Sequence, residues 1–426
     1  MPALILFGVL FGCILISVPI AVSMLASAWV VILFLSSIPA SVVGQKIFGE
    51  IASFPLVAIL LYVFLAEVMV RSDMANDVVE LLLLFLRRIK GGLAVAAVFG
   101  AMLFGGISGS AAADTGAIGG ALLPPMKARG YNIDFCSALI AAAGSVGPII
   151  PPSIPMIIYG TMATGVSISG LFAGGIVPGV LLSCGFAAYA YINSQQQGEV
   201  GQRSESRVDW RLVALRGVAA MILPILILGV LFGGIASATE AGAIGSVYAI
   251  VYSIVLRRIR SFSVVKEISV RTLKVTGAIG FIIAAAAPFA WVLAEQRIPD
   301  RAANLILTLS GGDPIIGIML VCLALILLGT VVEATAAVIL VAPVLAHIGA
   351  ALHVDPVYMG VIGVFALMIG LFTPPVGTNL FVVTAIAQRP LEAVVRHIFP
   401  FIVIAVGILA LLIVVPEFIS WSSVLF

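Results

Sequence analysis

Four short segments of the sequence place glycine, proline and hydroxyl side chains inside otherwise apolar stretches. They are GGISGSAAADTGAIGG (105–120), GSVGPIIPPSIP (144–155), GTVVEATAA (329–337) and GLFTPPVGTN (370–379). Proline removes a backbone donor and glycine permits unwound backbone, so these segments predict interrupted helices. Carbonyl groups freed in a membrane need a partner, and sodium, a hard cation that prefers oxygen, is a suitable one. The N-terminal ends of half-helices carry partial positive charge, which suits a carboxylate substrate.

The same segments carry further oxygen atoms and two acids. The nearby hydroxyl side chains are those of Ser108, Ser110, Ser145, Thr330, Thr335, Thr373 and Thr378. Asp114 lies in the first segment and Glu333 in the third. An ionisable group within a membrane is costly and is therefore a candidate for function. Three roles are open for each acid: to balance a sodium ion, to carry a proton, or to cap a half-helix.

The segments recur in pairs along the chain. Asp114 lies ten residues before Pro124, and Glu333 lies ten residues before Pro343, which gives a separation of 219 residues (333 − 114). The Pro-Pro pairs at 151–152 and 374–375 are 223 residues apart (374 − 151). A single break is explained equally well by a proline kink with small packing residues. Four breaks in repeat-related pairs favour a secondary transporter built from inverted repeats.

The composition excludes most other classes of protein. Of the 426 residues, 62% are hydrophobic and 9% are charged, and the mean hydropathy is +1.27. Soluble domains average about 25% charged residues, so a soluble enzyme and a nucleic-acid-binding protein are excluded. Long runs of Ala, Leu, Ile and Val, without strict alternation, favour helices over a β-barrel. The fold class predicted is an all-α polytopic membrane protein with two re-entrant helical hairpins and two broken helices.

Hydropathy and charge also predict the organisation of the chain. Full spans are expected to begin near residues 3, 19, 54, 135, 171, 218, 241, 277, 357 and 398. The hairpins are expected at 91–126 and 314–347, within a first repeat over 1–192 and a second over 217–426. A hydrophilic cytoplasmic linker, 193–216, separates the two repeats. The basic clusters of the chain are placed in the cytoplasm by the positive-inside rule.

Four ordered motifs resemble one family of transporters. GGISGSAAADTGAIG, SVGPIIPPSIPMIIYG, GGIASATEAGAIG and GLFTPPVGTNLFV together are similar to the large membrane subunit of TRAP (tripartite ATP-independent periplasmic) transporters. The resemblance implies a multi-pass protein of the bacterial inner membrane that takes up an organic acid, such as a C4-dicarboxylate or sialic acid, with sodium. It implies an elevator mechanism, in which a transport domain with both hairpins slides against a scaffold. The implied partners are a separate small four-helix membrane subunit and a periplasmic substrate-binding protein.

The resemblance also assigns candidate residues. The first sodium site would use Ser108, Gly109, Ser110, Ser145, Gly147 and Pro152. The second would use Gly329, Thr330, Gly370, Thr373 and Pro374. Candidates to bind substrate or balance charge are Asp114, Glu333, Thr335, Ser153, Thr378 and Asn379. The resemblance implies that sodium is the coupling ion and that lipid surrounds the protein; no catalytic residue, no other cofactor and no nucleic-acid partner is expected.

Three other functions remain to be distinguished. A stand-alone sodium–dicarboxylate symporter would use similar hairpins but would need no binding protein. A channel would need a continuous polar pore, whereas these polar breaks stop at mid-membrane. An intramembrane enzyme is disfavoured because the sequence has no H-E-x-x-H motif and no recognisable nucleophile–base pair.

Overall fold

The computed structural model describes residues 2–425 except residues 36–38, 40, 53–54, 87–88, 90, 164, 197–208, 257 and 260. Every regular element of this described part is helical, which confirms the prediction of an all-α protein. Helices suit so apolar a chain because they pair the backbone polar groups within one segment. The centre of the predicted linker and several basic residues used to predict orientation lie outside the described residues, so the orientation stays a prediction.

The described helices before residue 197 contain the first predicted hairpin and the first predicted break. They are α1 (Pro2–Leu15), α2 (Ile20–Leu35), α3 (Ser41–Ile51), α4 (Pro55–Arg71), α5 (Met74–Leu86), α6 (Gly92–Ser108), α7 (Ala111–Ala128), α8 (Ile133–Gly144), a 3-10 helix (Gly147–Ile149), α9 (Ile154–Met162) and α10 (Ile168–Gln196). The first helical hairpin is α6–α7, so it ends at residue 128 rather than at the predicted 126.

The described helices after residue 208 contain the second predicted hairpin and the second predicted break. They are α11 (Trp210–Phe232), α12 (Ala238–Val255), α13 (Phe262–Glu295), α14 (Ile298–Ser310), α15 (Pro314–Gly329), α16 (Ala334–Ala351), α17 (Pro356–Gly370), α18 (Thr378–Ala387), α19 (Leu391–Val414) and α20 (Glu417–Leu425). The second hairpin is α15–α16, which ends at residue 351 rather than at the predicted 347.

Helix length supports a protein that crosses the membrane several times. Among the described helices, α10, α11, α12, α13, α16 and α19 are long and apolar enough to cross alone. The bent pairs α3–α4 and α8–α9 raise the number to eight if each pair forms one span. Three predicted spans, α1, α2 and α17, have 14, 16 and 15 residues, fewer than the ~20 needed for a full span. The break after Gly370 is what shortens α17.

The two interrupted helices lie at the centre of the fold. Phe135–Gly144 of α8 and Val357–Gly370 of α17 are buried throughout. The hairpin α6–α7 packs against α8, and α15–α16 packs against α17. The helix α18 crosses from the second half and packs against α7 and α8. The breaks and the hairpin tips therefore belong to one packed unit.

The helix α5, which precedes the first hairpin, is fixed to α11 and α12. Its Asp77 is only 3% exposed and accepts hydrogen bonds from Arg258 (3.0 Å) and from the Tyr252 hydroxyl (2.6 Å). Gly217 of α11 allows the side chain of Leu81 to approach closely. This helix thus carries a partly buried ion pair, with Arg258 25% and Asp77 3% exposed, that would be costly to separate.

The helix boundaries give a different register for the two halves from the one predicted. The helices α7 and α16 begin 223 residues apart (334 − 111) and end 223 residues apart (351 − 128). At that separation Glu333 corresponds to Ser110, and Asp114 corresponds to Ala337. The predicted equivalence of Asp114 with Glu333 is therefore wrong by four residues, about one helical turn.

Candidate sodium and substrate sites

The first break separates α8 from α9. The helix α8 ends at Gly144, and the chain continues through a 3-10 turn and the cis Pro151–Pro152 bond. Ser145 donates its hydroxyl hydrogen to the carbonyl of Ala142 (2.6 Å). Ser153 caps α9 by accepting from the Met156 N–H (3.2 Å), and its hydroxyl donates to the carbonyl of Pro148. The Pro-Pro pair thus interrupts the helix where the sequence predicts.

The tip of the first hairpin lies directly against this break. A Cβ atom on Gly147 would lie 2.5 Å from the Cα of Gly105 and would collide with the carboxylate of Asp114. A Cβ atom on Gly109 would lie 2.9 Å from the N atom of Ile154. Glycine at these positions is what allows backbone to approach backbone. The structure therefore brings the predicted set of Ser108–Ser110 and Ser145–Pro152 together.

Asp114 is the buried acid of this assembly. The residue is 0% exposed, and its Oδ1 accepts a hydrogen bond from the Ser108 hydroxyl. Its Oδ2 atom lies beside Gly105 and Gly147 and has no hydrogen-bond partner in the described part of the chain. A carboxylate oxygen buried without a partner carries a large desolvation penalty. A small cation beside the break would relieve that penalty.

The second break separates α17 from α18 and lies against the tip of the second hairpin. A Cβ atom on Gly370 would lie 2.5 Å from the carbonyl carbon of Gly329. The N–H of Gly377 donates to the carbonyl of Thr330 (2.9 Å), which joins the break to the tip. The hydroxyl groups of Thr330 and Thr373 donate to carbonyl groups of their own helices, each at 2.7 Å. The cis Pro374–Pro375 bond lies within the same loop.

Glu333 occupies a different environment from Asp114. It is the exposed N-cap of α16. Its Oε2 accepts from the N–H groups of Thr335 (2.9 Å) and Ala336 (3.3 Å), and its Oε1 accepts from the Thr335 hydroxyl (3.1 Å). Of the three roles open for this acid, the geometry matches the helix cap.

The remaining candidates for substrate binding differ in how deeply they are buried. Thr378 begins α18 and is half-buried, whereas Ser153 and Asn379 are fully buried. Asn379 donates from Nδ2 to the carbonyl of Ala141 in α8 (3.0 Å), a contact across 238 residues of sequence. Sequence analysis missed this contact and the close approach of Thr115 to Gly144. The sequence could have indicated Thr115, because this residue directly follows Asp114 in a glycine-rich segment.

The comparisons with known proteins agree with this architecture. The model of the family described as "Tripartite ATP-independent periplasmic transporter, DctM component" matches residues 7–418. The sialic acid TRAP transporter large permease protein of Vibrio cholerae is 30% identical, over 97% of this chain and 96% of that protein. The C4-dicarboxylate TRAP transporter large permease protein of the same organism is also 30% identical, over 99% and 97%. The structure of the Alcanivorax borkumensis YdaH transporter has a similar fold, with a TM-score of 0.69 at 14% identity over 93% of this chain and 96% of that chain.

These matches extend over nearly the whole chain, which includes both breaks. TRAP large permeases work with a small membrane subunit and a periplasmic binding protein. The apolar helices fit a multi-pass protein of the inner membrane. The chain therefore belongs to the TRAP transporter family as a large permease protein (DctM component), and it is a transporter rather than an enzyme.

Proposed function

We propose that this chain carries out sodium-coupled uptake of a small organic acid across the inner membrane, after delivery by a periplasmic binding protein. The observation that carries the proposal is the buried Asp114, whose unpartnered Oδ2 lies against the first break. A buried carboxylate beside backbone and hydroxyl oxygens is suited to a hard monovalent cation. We assign the first sodium ion to Ser108–Ser110 and Ser145–Pro152, with Asp114 balancing its charge.

The second sodium ion is proposed to lie between the second hairpin tip and the second break. Gly329, Thr330, Gly370 and Thr373 lie together there, and the hydrogen bond from Gly377 to Thr330 holds the tip on the break. Each threonine hydroxyl donates its hydrogen to a carbonyl group, so its oxygen lone pairs remain free to accept. This site would offer neutral oxygen atoms only.

The substrate class is supported by the relatives and by the helix ends. The relatives are named for sialic acid and for C4-dicarboxylates, both of which are carboxylates. The helices α9 and α18 begin at the breaks, and α7 and α16 begin at the hairpin tips. The N–H groups at such helix starts favour an anion. We therefore propose that the substrate carboxylate binds between the two tips, near Ser110 and Thr378.

An elevator movement is proposed for the packed unit that carries both sites. This unit contains the hairpins α6–α7 and α15–α16 and the broken helices α8–α9 and α17–α18. Tyr252 of α12 and Arg258 after it hold Asp77 of α5, and Gly217 of α11 packs against Leu81, so that α11 and α12 would form the scaffold with α5 attached. The related order of helices in the two halves, with 223 residues between them, supports inverted repeats over 1–192 and 217–426.

Uptake by proteoliposomes tests the proposal. The chain, reconstituted with its small membrane subunit, should accumulate a carboxylate delivered by a cognate binding protein only when a sodium gradient is present. An inside-negative potential should accelerate uptake because two sodium ions with one carboxylate carry net positive charge inward. Equal uptake in sodium and potassium buffers at the same pH would contradict sodium coupling. Uptake without any binding protein would instead indicate a stand-alone symporter.

A further inference from the structure

Asn379 connects the two breaks, although they lie in different halves of the chain. It is the second residue of α18 and is 0% exposed. Its side chain reaches α8, where Nδ2 donates to the carbonyl of Ala141 at 3.0 Å. A buried hydrogen bond between a side chain and a distant backbone group is maintained only if both elements hold their positions.

The carbonyl of Ala141 is available because α8 is interrupted. In a continuous helix the N–H of Ser145 would bond to the carbonyl of Ala141 four residues earlier. Here the N–H of Ser145 bonds to Ala142 instead (3.1 Å), and that of Val146 bonds to Ala143 (3.0 Å). The first break thus frees a carbonyl group, and Asn379 of the second half satisfies it.

The backbone of Asn379 closes the second break. Its N–H donates to the carbonyl of Leu371 at 3.0 Å, which ties the two ends of the Pro374–Pro375 loop together. Within that loop the N–H of Gly377 donates to Thr330 at the second hairpin tip. Hydrogen bonds therefore link the second tip, the second break and the last turn of α8.

The start of α18, where Asn379 lies, is level with the first hairpin. The helix α18 runs beside α7 in the same direction: Cβ atoms built on Gly116 and Gly119 would lie 3.9 Å from Val382 and 3.4 Å from Ile386. Asn379 precedes Val382 by about one turn, which places it level with the turn of α7 that contains Asp114. Its Oδ1 is buried and has no hydrogen-bond partner among the described residues.

We infer that Asn379 is a positioning residue that couples the two sodium sites. Binding at the second site holds the loop from Leu371 to Asn379 closed, which keeps Nδ2 on the carbonyl of Ala141. That bond fixes the last turn of α8. Ser145 and Gly147 of the first site come directly after this turn in the chain. The inference rests on the proposed sodium sites and adds that the ions bind cooperatively, with this residue carrying the coupling.

The experiment compares sodium dependence in Asn379→Leu, Asn379→Ser and the native chain, each reconstituted with the small membrane subunit. Asn379→Leu keeps the volume and removes the donor, whereas Asn379→Ser stays polar but is too short to reach Ala141. We expect a Hill coefficient for sodium of about 2 in the native complex and about 1 in both variants. Ser137→Ala is the matched control, since its buried hydroxyl donates within α8, to the carbonyl of Ile133 (2.7 Å). It should keep the native coefficient.

The possible outcomes separate this inference from the proposed function. A native complex with no sodium dependence would overturn both. Cooperative sodium dependence that persists in a folded Asn379 variant would overturn the coupling role and leave the proposed function standing. A loss of uptake with an unchanged Hill coefficient would also exclude coupling, because a purely structural role lowers the amount of active protein without changing the shape of the curve. If Asn379→Leu does not fold, Asn379→Ser decides the question.

Discussion

The two assemblies of hairpin and broken helix share their backbone design and differ in their charges. In each, a glycine near the hairpin tip contacts a glycine at the break: Gly105 contacts Gly147, and Gly329 contacts Gly370. In the first assembly the carboxylate of Asp114 is buried at that contact. In the second the nearest acid of the tip, Glu333, is exposed and caps a helix.

This difference predicts that the two proposed sodium sites bind the ion with unequal strength. When ionised, the buried carboxylate of Asp114 would give the proposed first site a full negative charge where screening is weak. The second site offers dipoles of carbonyl and hydroxyl groups alone. We therefore expect the two sites to respond unequally to the removal of one ligand. Variants of Asp114, Thr373 and Glu333 test that inequality, whereas alanine at the glycine contacts tests the backbone design that the two assemblies share.

The largest effect is expected for Asp114→Asn. This variant keeps the shape and removes the charge, and an interaction with a charged group is worth about 1.5–3 kcal/mol, or roughly one to two decades in affinity. The half-saturating sodium concentration for uptake should rise by that factor. Asp313→Asn is the control, because Asp313 is an exposed cap of α15 and asparagine caps equally well. An unchanged sodium dependence in Asp114→Asn would remove this residue from the first site.

Alanine at the glycine contacts should affect both assemblies alike. In Gly147→Ala and Gly370→Ala the new methyl group meets backbone atoms that cannot move aside. Overpacking of this kind costs about 1–3 kcal/mol, so the melting temperature of the purified complex should fall in both variants. Gly120→Ala is the control, because a Cβ atom there has open space within 4 Å. Native stability in either contact variant would mean that the tip can separate from the break at little cost.

A smaller effect is expected for Thr373→Val at the second site. It removes one neutral oxygen, and a neutral hydrogen-bonding group contributes about 0.5–1.5 kcal/mol, or roughly a factor of 2–12 in affinity. Half-saturating sodium should rise by that amount, and high sodium should restore uptake. Thr384→Val is the matched control, because the Thr384 hydroxyl donates to the carbonyl of Phe381 (3.0 Å) within the exposed part of α18. An equal loss of uptake at every sodium concentration would make the break purely structural.

Glu333→Gln is expected to have the smallest effect. The glutamine retains an acceptor for the first turn of α16 and loses only the favourable charge at the helix start, worth about 0.3–1 kcal/mol. The half-saturating sodium concentration should stay within about twofold of the native value. A tenfold or larger rise in the half-saturating sodium concentration, measured in parallel with Asp114→Asn, would show that the two acids have equivalent roles.

Features with a local cause could be predicted from the sequence. The breaks at Pro151–Pro152 and Pro374–Pro375 follow from the chemistry of proline, and the interrupted hairpins follow from small polar residues at their centres. The register of the two acids was wrong because it relied on Pro124 and Pro343, which lie inside α7 and α16 at positions four residues out of step. The two N-caps, Ser110 and Glu333, would have given the correct register.

Features that depend on packing between the halves could not be predicted. The bond from Asn379 to Ala141 requires α18 to cross to α8, and no local pattern specifies that crossing. The ion pair between Asp134 and Arg389, at 2.6 and 2.7 Å, joins the same two regions and was missed for the same reason. Nor does an isolated Asp114 in the sequence reveal that its carboxylate is fully buried.

The bond between Asn379 and Ala141 has a consequence for the synthesis of the protein. Its acceptor emerges from the ribosome 238 residues before its donor. At about 5–20 residues per second, the interval is roughly 10–50 s. Throughout that time the carbonyl of Ala141 lacks the donor that satisfies it in the folded chain. Another polar group, water or the insertion machinery has to satisfy that carbonyl until translation nears its end.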